Sequence, residues 1–222
     1  MKIRTLEDLN DRLTADLVWR KIEIADLKAL IENRSFSDSK HNTLLRGGVT
    51  LLYAHWEGYI KSAGTSYLEF VSRQPLTYNQ LAINFVAIAM KTKLNEVTEA
   101  NKATVFTEAT RFMLTQTNER CSLPYKDVVA TGSNLSSSIL REITCLLGLD
   151  YSFYETNRII IDERLLGRRN KIAHGEYLKH ISLDRDEYQQ LHEKILLMMD
   201  YFRNQIENNA VQKLYLRNPG LD

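Results

Sequence analysis

The chain is poor in the residues from which loops and sheets are made. Among 222 residues there are nine glycines and three prolines, too few for the repeated tight turns of a many-stranded β architecture. Its two cysteines, Cys121 and Cys145, stand in no C-x-x-C or Cys/His spacing, which excludes a disulfide framework and a thiolate zinc site. We read both as reduced, buried thiols, a usage that fits the cytosol. No apolar signal region precedes the first acidic residues in Met1–Asp8, and the longest apolar run, Leu81–Met90, is broken by Asn84 and too short to span a bilayer. The expectation is a soluble cytoplasmic protein with no membrane partner. A formal net charge of +1 gives no global pull on polyanions, so any anion site must be local. Glycine-rich phosphate loops, H-E-x-x-H and G-x-S-x-G are all missing, and no cofactor or metal is expected.

What is present is helical periodicity. With 44% hydrophobic residues the chain can bury a sizeable core. Thr5 and Asp8 form a capping-box pattern, after which Leu6, Leu9, Leu13, Leu17, Ile24, Leu27 and Ile31 make one apolar stripe. A second helix is expected over about 42–72, apolar on most sides through Leu44, Leu45, Val49, Leu51, Leu52, Trp56, Ile60 and Leu68, as suits the middle of a bundle. Two further helices are expected over 81–90 and 99–114, and one starting near Ser133 or Asn134 that ends at Gly148. Asp162 is placed as the cap of the next, which stops near Gly175. The last long helix follows Ser182, with Tyr188, Leu191, Ile195, Met198, Phe202 and Ile206 along one face. The pattern reads as an all-α, up-and-down helical bundle in a single domain over 1–222, with 73–134 as an inserted helical subdomain and 214–222 as a frayed tail.

One stretch is chemically pointed: Arg168-Arg169-Asn170-Lys171-Ile172-Ala173-His174-Gly175-Glu176. Between Arg158 and Lys179 six basic residues face three acidic ones, so +3 of charge is concentrated in a chain whose total is +1. Asn170 and His174 are four apart and share a helix face. Arg169 lies about 140° round from His174, so two copies meeting about a two-fold axis would build a fuller cleft than one. These groups suit cleavage of RNA by its own 2′-hydroxyl. Histidine moves protons near neutral pH, and a guanidinium stabilises charge on the non-bridging phosphate oxygens. The plainer reading is a basic helix end closed by Gly175.

Arg169 and His174 with four residues between them, and Asn170 after the arginine, resemble the R-x(4–6)-H signature of the HEPN superfamily. Ser133-Asn134-Leu135, Leu146-Leu147-Gly148-Leu149, Ile161-Asp162 and the earlier Tyr53-Ala54-His55-Trp56-Glu57-Gly58-Tyr59-Ile60-Lys61 extend the likeness to the prokaryotic HEPN nucleases, including the RiboL-PSP-associated and MAE_28990-type families. It covers most of the chain outside 73–130. The resemblance implies a helical bundle, homodimerisation through the motif helices and metal-independent endoribonuclease activity, in a toxin of a toxin–antitoxin pair or a phage-defence effector. A cognate antitoxin or a neighbouring defence protein would then be a partner beside the RNA substrate. Arg169, Asn170 and His174 map directly onto the motif. Glu57, on the earlier helix, is expected to assist His174 or orient Arg169, its plainer role being a partner for Lys61 at i+4. Arg168, Lys171 and Lys61 are the expected RNA contacts. The branch silenced by tyrosine AMPylation carries a tyrosine two residues after the histidine; here that residue is Glu176, with Tyr177 one further on, a departure that puts that regulation in doubt. A non-catalytic HEPN dimer binding RNA, a nucleotide or a partner protein is the alternative, and an antitoxin-like regulatory subunit a third.

Overall fold

A computed structural model of the chain describes residues 2–99, 103–132, 134–176 and 183–218. Its helices are α1 (Leu6–Glu32), α2 (Asp38–Arg73), α3 (Ile83–Glu99), α4 (Ala103–Thr115), α5 (Ser137–Leu147), α6 (Ser152–Thr156), α7 (Arg168–Ala173) and α8 (Arg185–Val211), with a 3₁₀ turn at Tyr78–Gln80 and a π-helical segment at Ile160–Gly167. Among the described residues there is no strand, only two isolated bridges, Thr77 with Arg120 and Leu81 with Leu216. The fold is all-α.

Three long helices frame it. At the start of α1 the Thr5 hydroxyl accepts the Asp8 amide at 3.0 Å, and the Asp8 carboxylate accepts the Thr5 amide at 3.0 Å. Two of the orphan donors at a helix start are thereby satisfied. Leu9, Leu13, Leu17, Ile24 and Ile31 are the buried face of α1. α2 is buried on most of its circumference, with Trp56, Tyr59, Ile60, Tyr67 and Leu68 fully sealed, as its all-round apolar pattern requires. α8 buries Tyr188, Leu191, Ile195, Met198, Phe202 and Ile206. α1 runs antiparallel to α8: its first turns share a groove with Glu207, Ala210 and Val211, Lys21 pairs with Asp200 at 2.6 Å, and its end reaches Tyr188 beside Gly48. Gly48 is where the three helices touch, since a Cβ there would meet Ile31 Cδ1 and Tyr188 Cε2 at 2.7 Å each.

Several elements differ from the sequence expectation, for local reasons. α2 starts at Asp38, one turn before Asn42. α3 starts after the 3₁₀ turn and runs on to Glu99. α5 starts at Ser137 with Ser136 as its cap, because Leu135 spends its amide on the Tyr53 hydroxyl at 2.7 Å and Asn134 points at Arg169; Ser133 lies outside the described residues. Asp162 caps no helix of its own. It sits in the π-helical segment, and its carboxylate takes the Ser137 amide at 2.7 Å and the Ser137 hydroxyl at 2.5 Å, capping α5 from across the bundle. The final helix is capped by Asp184, which accepts the Glu187 amide at 2.8 Å; Ser182 lies outside the described residues. Cys145 is exposed and Cys121 half-buried, so neither is the buried thiol expected. Residues 214–217, expected to fray, are tied back: Ala82 donates to the Tyr215 carbonyl at 2.9 Å and Arg217 to that of Gln80 at 2.8 Å, and Tyr215 is buried against Phe70.

Candidate active site

The motif lies on α7, a short helix held on one side by α2 and preceded by the π-helical turn. Wider turns of this kind are frequent at functional positions, where the extra residue redirects the side chains that follow. Here the segment runs directly into Arg168 and Arg169. The two arginines diverge. Arg168 is buried and pairs with Glu187 of α8 at 2.5 Å, so it anchors α7 to the bundle. Arg169 is half-buried on the α2 side: its Nη1 donates to Asn134 Oδ1 at 3.1 Å and to Asn170 Oδ1 at 2.8 Å. Its guanidinium carbon lies 4.8 Å from the centroid of the Tyr53 ring, a cation–π stack worth about 0.5–2 kcal/mol depending on exposure.

Tyr53 links this arginine to Glu57. Its hydroxyl accepts the Leu135 amide, and its pKa is raised, first by burial and then by the neighbouring Glu57 carboxylate, while the Leu135 amide and Arg169 pull the other way. Glu57 is thus beside Tyr53 and on the Arg169 side of α2. Among the described residues it makes no ion pair with Lys61, so the i+4 partnership is not formed.

His174 is the last residue of the motif and the C-cap of α7. Its own amide donates to the Asn170 carbonyl at 2.9 Å, the Gly175 amide to Ile172 at 3.0 Å and the Glu176 amide to Lys171 at 3.0 Å. That is a Schellman closure, which needs a left-handed residue just past the cap; Gly175 supplies it at φ +76°. Arg46 of α2 completes the turn, Nη1 donating to the Glu176 carbonyl at 2.5 Å and Nη2 to that of Ile172 at 3.3 Å. The His174 ring is exposed and makes no hydrogen bond among the described residues. Arg169 and His174 therefore stand at opposite ends of one short helix, with Tyr53 of α2 against the first and Arg46 of α2 on the turn that carries the second, and among the described residues no hydrogen bond joins them.

Lys171 is exposed and lines a polar depression with Asp162, Glu163 and Arg164. Lys61 is exposed one turn beyond Glu57, in a separate groove with Arg12, Ser62 and Glu69. Among the described residues neither is hydrogen-bonded to Arg169 or His174. Sequence reasoning missed Arg46, and took Tyr53 and Asn134 only as parts of a pattern. Their spacing from the motif is long-range: the antiparallel lie of α2 and α7 brings Tyr53 and Arg46 to it, and the segment before α5 brings Asn134. Elsewhere, buried His55 places Nε2 2.8 Å from Glu23 and packs edge-on against Trp19, on the α1 side of α2. Among the described residues no three His, Cys, Asp or Glu side chains gather as a metal site would require, and no helix is long and apolar enough to cross a membrane.

A model of the MAE_28990-like HEPN family matches residues 9–215, nearly the whole chain. The protein belongs to that family. No curated protein and no solved structure is significantly similar to it. The HEPN match runs through α2, α5, α7 and α8 alike, so Tyr53, Glu57, Asn134, Arg169 and His174 all fall within the matched stretch.

Proposed function

We propose that this HEPN protein is an endoribonuclease that needs no metal, cutting RNA by attack of the 2′-hydroxyl on the adjacent phosphate. The observation that carries the reading is the state of Arg169: a guanidinium gripped at one nitrogen, stacked on Tyr53, and on the same short helix as an exposed histidine. Its neighbour Arg168, by contrast, is neutralised by the Glu187 carboxylate. In the reaction, His174 takes the proton from the 2′-hydroxyl or returns one to the 5′-oxygen. Arg169 holds the charge that builds on the non-bridging oxygens. Each contribution is typically worth about 10²–10⁴-fold in rate. Asn170 and Tyr53 orient Arg169, and Glu57 sets the polarity around it. Lys171 and Lys61 lie far enough out to steer the polyanion, while the ion pair of Arg168 fits anchoring rather than RNA contact.

The separation of Arg169 from His174 supports a cleft completed by a second copy, in which α7 of each protomer faces the other. Family membership supports an RNA-directed role; a toxin of a toxin–antitoxin pair or a phage-defence effector in the cytoplasm is the biological setting we infer. The experiment is cleavage of a mixed tRNA and structured-RNA pool in EDTA by the wild type, His174→Ala and Arg169→Ala. Cutting by the wild type that is lost in both variants is expected. RNA binding without cutting by any of the three would make the protein a binding module.

A further inference from the structure

Resting on that reading, we infer that Asn134, with Tyr53, is a positioning residue that turns Arg169 so that its Nε–Nη2 edge, and no other, receives the scissile phosphate. A guanidinium has five N–H donors in a rigid plane. The two on Nη1 are used: one goes to Asn134 Oδ1 at 3.1 Å, the other to Asn170 Oδ1 at 2.8 Å. One face of the plane is taken by Tyr53 at 4.8 Å. Nε and Nη2 make no hydrogen bond among the described residues, and neither is among the buried polar atoms without a partner, so both reach solvent. The pair of parallel N–H groups along that edge is the fork that matches two oxygens of a phosphate.

Both holding oxygens belong to amides and not to carboxylates. They fix the direction of the guanidinium while leaving its positive charge unspent for the anion. Asn170 is its chain neighbour and moves with it, whereas Asn134 comes from the segment before α5 and is an outside reference point. That segment is itself fixed at two places, by the Leu135 amide on Tyr53 and by Asp162 on Ser137. The arginine is thereby referred to α2 and to α5 at once, and a substrate phosphate finds it already turned.

The test compares wild type, Asn134→Ala, Asn134→Asp and His174→Ala on an RNA substrate, with binding measured on the same oligomer carrying a 2′-deoxy residue at the cut site. Asn134→Ala is expected to lower kcat about 10–100-fold with substrate binding within a few-fold of wild type. Asn134→Asp keeps an acceptor in place but spends the charge, so it is expected to weaken binding as well. A readout independent of cutting is the Arg169 Nε–H signal in ¹⁵N–¹H NMR, sharp in the wild type and broadened in folded Asn134→Ala. If His174→Ala is dead and Asn134→Ala cuts like the wild type, the positioning role is wrong and the nuclease stands. If the wild type does not cut, the nuclease reading falls. The NMR signal then decides whether Asn134 holds Arg169, an unchanged signal overturning it.

Discussion

At the scale of single residues, the site is a contest over one charge. Arg168 and Arg169 are neighbours of identical chemistry, yet Glu187 neutralises the first and two amides hold the second. Lysine in place of Arg169 keeps the charge but has neither the fork nor the planar face. Arg169→Lys is therefore expected to be nearly as inactive as Arg169→Ala, with RNA affinity falling less than turnover; single-turnover kinetics beside equilibrium binding check this. Gly175 carries a second residue-scale prediction. Nothing lies within 4 Å of a Cβ added there, so space is not the issue. The cost comes from φ +76°, about 1–2 kcal/mol for a residue with a Cβ. Gly175→Ala should lower the urea unfolding free energy by roughly that amount and reduce turnover more than binding, because the turn it distorts presents His174.

At the scale of elements, α2 is the reference for everything else. It meets α1 and α8 at Gly48, and alanine there is expected to destabilise the fold by about 1–3 kcal/mol, the usual cost of overpacking, readable as a shifted denaturation midpoint. The main helices were legible in the sequence because each shows its face: the stripe of α1, the all-round apolar surface of α2 and the Tyr188-to-Ile206 face of α8 are local patterns. The motif was legible for the same reason, lying within one short stretch. What was not legible is long-range. Nothing within 160–167 announces a π-helical turn, and Asp162 looks like a cap for its own helix until α5 is seen beside it. Asn134, Tyr53 and Arg46 act on residues more than thirty-four positions away, and no periodicity encodes such a contact.

At the scale of the whole molecule, buried neutral histidine makes stability depend on pH. Burial, and then Lys28, lowers the pKa of His192, and both ring nitrogens are sealed without a hydrogen-bond partner. Burial likewise lowers that of His55, against the raising effect of Glu23. The unfolded chain then takes up protons before the folded one, so stability is full above the ordinary histidine pKa of about 6.5 and falls as pH drops below it. The urea midpoint should be lower at about pH 5.5 than at about pH 7.5, and the difference smaller in His192→Phe. The assembled molecule is proposed to be a dimer whose two α7 helices share a cleft; sedimentation showing a fully active monomer at micromolar concentration would remove that mechanism. The most direct test of the central claim is the chemistry of the ends. RNA cut by the wild type in EDTA should carry 2′,3′-cyclic phosphate and 5′-hydroxyl termini, with no cut at a position bearing a single 2′-deoxy residue. Cleavage that survives the 2′-deoxy substitution, or leaves 5′-phosphate ends, would contradict a 2′-hydroxyl attack directed by Arg169 and His174.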